Sequence, residues 1–185
     1  MMRKSIYFLL ILHLLIVGCK KEPDPFMVGK QNIGLLTDST QVKDLELVFP
    51  NDSIVSPISN DDIYGTKSDI EIFEKGGKKL LVLAPSQVMD STALIESVQI
   101  IDPRYKTDKK ISSISTFKDI NDNYKISRIS NLINSVVVFV DDINASFTID
   151  KKELPAGLRY GMNQKIEKIQ IPDKAKIKYF MIYWM

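Results

Sequence analysis

Short apolar runs closed by turn signals set the rhythm of the chain from residue 69 onward. In "DIEIFEKGGKKLLVLAP", Ile70 and Ile72 alternate with acids, Lys75-Gly76-Gly77-Lys78 offers a turn, and Leu80 to Ala84 return as a buried strand closed by Pro85. "SVVVFVDDINASFTID" repeats the plan. Val136 to Val140 form a buried run, Asp141 to Asn144 turn, and Ala145, Phe147 and Ile149 alternate with Ser146, Thr148 and Asp150. "ESVQIIDP" predicts another strand, and "KIEKIQIPDKAKIKYFMIYWM" predicts more on either side of a Pro172-Asp173 turn. On an ideal final strand, Ile177, Tyr179, Met181 and Tyr183 share one side, and Lys178, Phe180, Ile182 and Trp184 the other. Both sides are apolar at the end. The pattern therefore predicts either a central strand buried on two faces or an exposed aromatic patch, with Tyr179, Phe180, Tyr183 and Trp184 as the candidate binding residues.

Two segments carry a helical period instead. "STQVKDLELVF" (39–49) aligns with "STFKDINDNY" (115–124) when one residue is skipped, pairing Val42 with Phe117, Leu45 with Ile120 and Phe49 with Tyr124 at a constant spacing of 75 residues. Strands follow each copy. The predicted class is α+β, with helices packed on antiparallel sheet and room for two tandem αβββ(β) repeats over 33–101 and 111–185. In element order and repeat length this resembles the tandem modules of BamE-type lipoproteins and the β-lactamase inhibitor proteins, which implies a small exported binding module without catalytic residues.

The N-terminus follows neither pattern. Arg3 and Lys4 precede an apolar run from Ser5 to Val17, too short to span a bilayer comfortably and shaped like a secretory signal peptide. Ile16-Val17-Gly18-Cys19 matches position for position the bacterial lipobox, and the chain resembles bacterial lipoproteins on that ground. The resemblance implies cleavage before Cys19, a diacylglyceryl thioether on its sulfur and a further acyl chain such as palmitate on the new amine. Two or three chains hold a protein at a membrane where one holds only marginally. Residues 1–18 are then the signal peptide, 19–30 the lipidated cysteine with an extended spacer through "KKEPDPF", and 31–185 one domain. Lys20 is not the aspartate that often marks inner-membrane retention, and the Lys/Glu-rich spacer resembles lipoproteins of the Bacteroidota. The expected location is the outer membrane, on its periplasmic or its outer side.

Composition narrows the chemistry. The leader holds two cations and no acid, so the remaining chain has equal numbers of basic and acidic groups and no basic stripe for nucleic acid. The one histidine, His13, lies in the leader, and the one cysteine is Cys19. The mature chain thus lacks imidazole and free thiol, which excludes a Ser-His-Asp triad, Cys-His catalysis, His or Cys zinc sites and any disulfide. Three weaker patterns remain. Asp119, Asn121 and Asn123 occupy positions one, three and five of a calcium loop, but Tyr124 and Ser130 replace its Gly and Glu. Ser115 and Lys118 fit Ser-x-x-Lys without the Lys-Thr-Gly that penicillin-recognising enzymes require, and a helix N-cap at Ser115 or Thr116 explains the same letters. Asp61-Asp62 and Asp141-Asp142 are acid pairs whose members point to opposite faces of a strand, so neither pair alone can flank a scissile bond. The pattern points to a non-catalytic envelope lipoprotein without metal or cofactor, acting through an envelope partner, a protein or a glycan. A carbohydrate or small-ligand binder is the alternative, and a carboxylate enzyme comes third.

Overall fold

The computed structural model describes residues 24–56, 69–161 and 164–184; the leader, Cys19 and the Asp61-Asp62 pair lie outside them. Twelve strands form two sheets among the described residues. The small one contains β1 (Met27–Val28), β2 (Asn32–Ile33), β3 (Leu36–Thr37) and β8 (Lys106–Thr107), in the order β3-β2-β1-β8. The large one holds β4 (Ser53–Val55), β5 (Ile70–Phe73), β6 (Lys79–Pro85), β7 (Ile95–Ile100), β9 (Arg128–Asn131), β10 (Ser135–Val140), β11 (Ala145–Asp150) and β12 (Ile177–Tyr183). Its eight strands run β4-β5-β6-β7-β12-β11-β10-β9, antiparallel throughout. With the short helices α1 (Leu45–Val48), α2 (Phe117–Asn123) and α3 (Ala156–Arg159), the fold is α+β and mostly sheet.

Alternation explains how the large sheet buries one face. A single row runs Ile54, Ile72, Leu81, Ile100, Phe180, Phe147, Val138, Ile129 across all eight strands, and its six inner members are almost wholly buried. Val28, Ile33 and Leu36 of the small sheet join these in one core, as do Leu45, Phe117 and Ile120 of the helices. Each such side chain contributes about 1.5–3 kcal/mol by leaving water.

Each half is a short helix followed by a four-strand meander, and the two meanders meet where β7 pairs with β12. The anchoring bonds recur too. Val42 N–H donates to Ala93 O and Phe117 N–H to Ala175 O, at 3.0 and 2.9 Å. Lys43 reaches Ser91 O as Lys118 reaches Asp173 O, and Ile95 reaches Thr40 O as Ile177 reaches Ser115 O. Val42 is half-buried against the core, while Leu45, Phe49, Phe117, Ile120 and Tyr124 lie within it. These bonds match Thr40 with Ser115 and need no skipped residue, so the alignment of Ser39-Thr40 with Ser115-Thr116 is corrected by one position. The cause is capping. Thr116 caps α2, accepting from Asp119 N–H at 3.4 Å while its own N–H donates to Asp119 Oδ2 at 2.7 Å, whereas Thr40 Oγ1 accepts from Thr37 N–H in a turn before α1. Thr116→Ala should lower stability by about 1 kcal/mol in chemical denaturation, and Ser39→Ala by far less.

Three further expectations are corrected. Residues 24–30 are no spacer: Asp24 opens a turn by accepting from Phe26 N–H at 2.9 Å, β1 pairs in parallel with β8, and Val28 is buried. The stretch before Pro172 is not a strand. Its isoleucines are split, Ile166 and Ile171 buried and Ile169 exposed, around a 3-10 turn at Lys168–Gln170 that no ladder supports. The runs 80–84 and 136–140 are buried on one side only, for Val82, Ala84, Val137 and Phe139 are half-exposed on the other face.

Candidate functional site

The final strand decides which aromatic residues are available. Between Thr148↔Tyr179 and Ile149↔Ile177 the register shifts, and Lys178 is the extra residue. This bulge lets Ile177 and Phe180 both face the core, which strict alternation forbids. Phe180 is fully buried and stacks on Phe147 at 4.7 Å, and Trp184 is 6% exposed with its indole N–H donating to Lys30 O at 3.0 Å. Of the four candidate binding residues, Phe180 and Trp184 are therefore packed in the interior. Tyr179 and Tyr183 lie on the opposite, outer face of the sheet. The strand is central, but only its Phe180 side is deeply buried.

That outer face is a continuous surface. One row crosses it from Val55 on β4 to Arg128 on β9, by way of Glu71, Val82, Gln99, Met181, Ser146 and Phe139. Tyr179 is 43% exposed, and Met181, Tyr183, Val82 and Phe139 are half-buried by their neighbours in the sheet. Polar contacts tie the face together and ring it. Ser146 Oγ and Tyr183 Oη lie 3.1 Å apart, the Arg128 guanidinium sits 4.0 Å from the Phe139 ring centre, and Lys79 pairs with Glu71 at 2.7 Å beside Phe73. Lys178, displaced by the bulge, reaches Asp150 at 3.5 Å. The middle of the face thus mixes Val82, Tyr179, Met181, Tyr183 and Phe139 with the uncharged polar Gln99, Ser146 and Thr148, and charged groups stand at its margins.

A second feature opens at one end of the sheet. A cleft of about 670 Å³ is bounded by Lys30, Gln31 and Asp38 from the turns that flank the small sheet's strands, by Leu94, Ile95 and Glu96 at the start of β7, and by Ser86, Asn144 and Trp184. The sequence pattern missed it because its walls come from segments far apart in the chain. The unusual backbone of Asn144, at φ 50° in the turn after β10, was readable only as a turn preference.

The first described residues lie at the other end of β7. There Phe26 meets the Tyr105 ring edge-on at 5.0 Å and carries the Arg104 guanidinium at 4.8 Å. Arg104 donates to Asp102 Oδ2 at 2.9 Å and to Glu74 at 2.8 Å, and Lys78 reaches Asp102 at 2.9 Å. Burial pushes the Asp102 carboxyl up, but the hydrogen bonds from Arg104 and Lys78 outweigh it and hold it at about 2. Burial also pushes the Tyr105 hydroxyl up to about 12.

The weaker patterns resolve into structure. Asp119 is occupied in the α2 cap, and Asn123 Nδ2 donates to Asp119 O at 2.9 Å, so the calcium pattern is a helix end. Lys118 pairs with Asp122 at 2.8 Å, and Ser115 Oγ accepts from Ser112 N–H. Asp141 and Asp142 are exposed in a 3-10 turn. Among the described residues, no group of three or more His, Cys, Asp or Glu is placed to hold a metal ion, and no helix is long and apolar enough to cross a membrane.

No protein-family model matches the chain, and no curated protein matches it at a level that marks a relative. Among solved structures, the chain is similar to the uncharacterized protein yfeY from Escherichia coli, with a TM-score of 0.54 at 15% identity over 85% of this chain and 99% of that one. At that identity the likeness carries the fold alone.

Proposed function

We propose that this protein is a lipid-tethered, non-catalytic binding module of the bacterial envelope whose outer sheet face docks a protein partner. The observation that carries the reading is the one-sided burial of the large sheet: Phe180 is sealed while Tyr179, beside it in sequence, is 43% exposed on a face that also presents Met181, Tyr183, Val82 and Phe139 among uncharged polar residues. The tether rests on Cys19 in its lipobox, and the non-catalytic character on a mature sequence without imidazole or free thiol. Outer-membrane location is part of the same proposal. The repeated anchoring bonds support reading 33–101 and 111–185 as two copies of one unit.

Two measurements test this. Cys19→Ser should abolish incorporation of labelled palmitate and release the protein from membranes, because a hydroxyl cannot form the thioether; equal labelling of the variant would end the tether. For the face, Tyr179→Ala combined with Met181→Ala should abolish recovery of the partner from native membranes while shifting stability by about 1 kcal/mol or less. Leu47→Glu, at an 80% exposed position on α1, should leave recovery intact. Equal loss with both variants would refute docking by the sheet face.

A further inference from the structure

We propose that the end cleft is a binding site for a short zwitterionic peptide, one that carries a free amino and a free carboxyl end. This inference needs neither the tether nor the outer face. The cavity, about 670 Å³, lies within the range of roughly 300–1,000 Å³ typical of small-ligand sites. Its charges select the ligand. Lys30 and Glu96 line it and are exposed, and no ion pair among the described residues joins either one, or Asp38, to a partner. Among the described residues, the Asp38 carboxylate accepts only from Gln31 Nε2, at 3.1 Å.

One ammonium against two carboxylates disfavours a phosphate or a fatty acid, whose charge would meet net repulsion. A neutral sugar would meet Lys30 and Glu96 through hydroxyls alone, leaving both charges uncompensated, where a charged end makes the stronger charge-assisted bond. A zwitterion satisfies both at once: its carboxylate meets Lys30, and its ammonium meets Glu96 and Asp38. The amides of Gln31 and Asn144 match a peptide group, and Leu94 with Trp184 supplies an apolar wall for a side chain. The walls are formed in advance. Gly29 N–H closes the Lys30 turn on Asn32 O at 2.8 Å, the Trp184 indole holds the Lys30 carbonyl, and Asn144 O accepts from Tyr183 N–H at 2.9 Å. The backbone walls are thus in place, and the ligand has to order only the Lys30 and Glu96 side chains.

Trp184 is the only tryptophan of the protein and lines the cleft, so any change in tryptophan emission comes from this one ring. The full chain in detergent is titrated with the unblocked tripeptides Ala-Leu-Ala and Ala-Lys-Ala, with the same peptides acetylated and amidated, and with maltotriose, following emission and heat together. The expected result is a saturable change with an unblocked tripeptide and binding at least about tenfold weaker once its ends are blocked, the loss of a charge-assisted contact. Lys30→Met and Glu96→Gln, both at exposed positions, should each raise Kd about tenfold with an unchanged melting midpoint. Equal binding of blocked and unblocked peptides would overturn the proposal, as would maltotriose as the sole binder, or neither heat nor emission change at about 10 mM peptide, a concentration above any useful affinity.

Discussion

Phe180→Ala should cost about 3–5 kcal/mol and bring the urea midpoint down steeply, whereas Tyr179→Ala, one residue away, should cost about 0.5 kcal/mol. The contrast follows from the sheet. Phe180 is 0% exposed, in the middle of an eight-strand apolar row, and its ring stacks on Phe147 at 4.7 Å. Truncation leaves a void between Ile100 and Phe147, its ladder neighbours, which strands paired on both sides cannot close. The lost stacking adds about 0.5–1.5 kcal/mol to the transfer loss. Tyr179 is 43% exposed, so its truncation leaves space that water fills and no comparable cavity. An unchanged midpoint for Phe180→Ala would mean that β12 is not the central strand and would remove the basis for the outer face as well.

That central placement was half legible in the sequence. Alternation in Ile70-Ile72 and in Ala145-Phe147-Ile149 identifies the core side of β5 and β11, and the glycine turn between β5 and β6 fixes a hairpin. Lys178 hides the rest. A bulge has no signal of its own in an apolar run, so the pairing of Ile177 with Phe180 on one side is set by the neighbouring strand and not by periodicity. The small sheet was illegible for a different reason: strands of two residues are shorter than any period, and β1 is held through a parallel partner nearly eighty residues away. The Ile166 to Ile171 stretch misled because isoleucine favours strands only where a ladder is available. For the cleft, the pattern offered Trp184 alone. Lys30, Glu96 and Asn144 look like ordinary surface residues until the fold gathers them.

The buried carboxylate near Phe26 should govern acid stability. Asp102 has a fully buried side chain, and its folded value of about 2 lies below the ordinary 3.8, because bonds from Arg104 and Lys78 stabilise the anion more than burial opposes it. A carboxyl lowered by folding binds its proton more weakly in the native state than in the unfolded one. Its contribution is thus complete above about pH 4 and is lost as pH falls towards 2, a change of about 2 kcal/mol. Asp52 acts in the opposite sense, since burial and then Glu74 raise its carboxyl. The difference between wild type and Asp102→Asn isolates the pair. Measured by urea unfolding at a series of pH values, the variant should be less stable by about 2 kcal/mol at pH 7, with the gap closing between pH 4 and 2. A gap that stays constant over that range would mean that Asp102 is protonated alike in both states, and that Arg104 is held over Phe26 by packing instead of by charge.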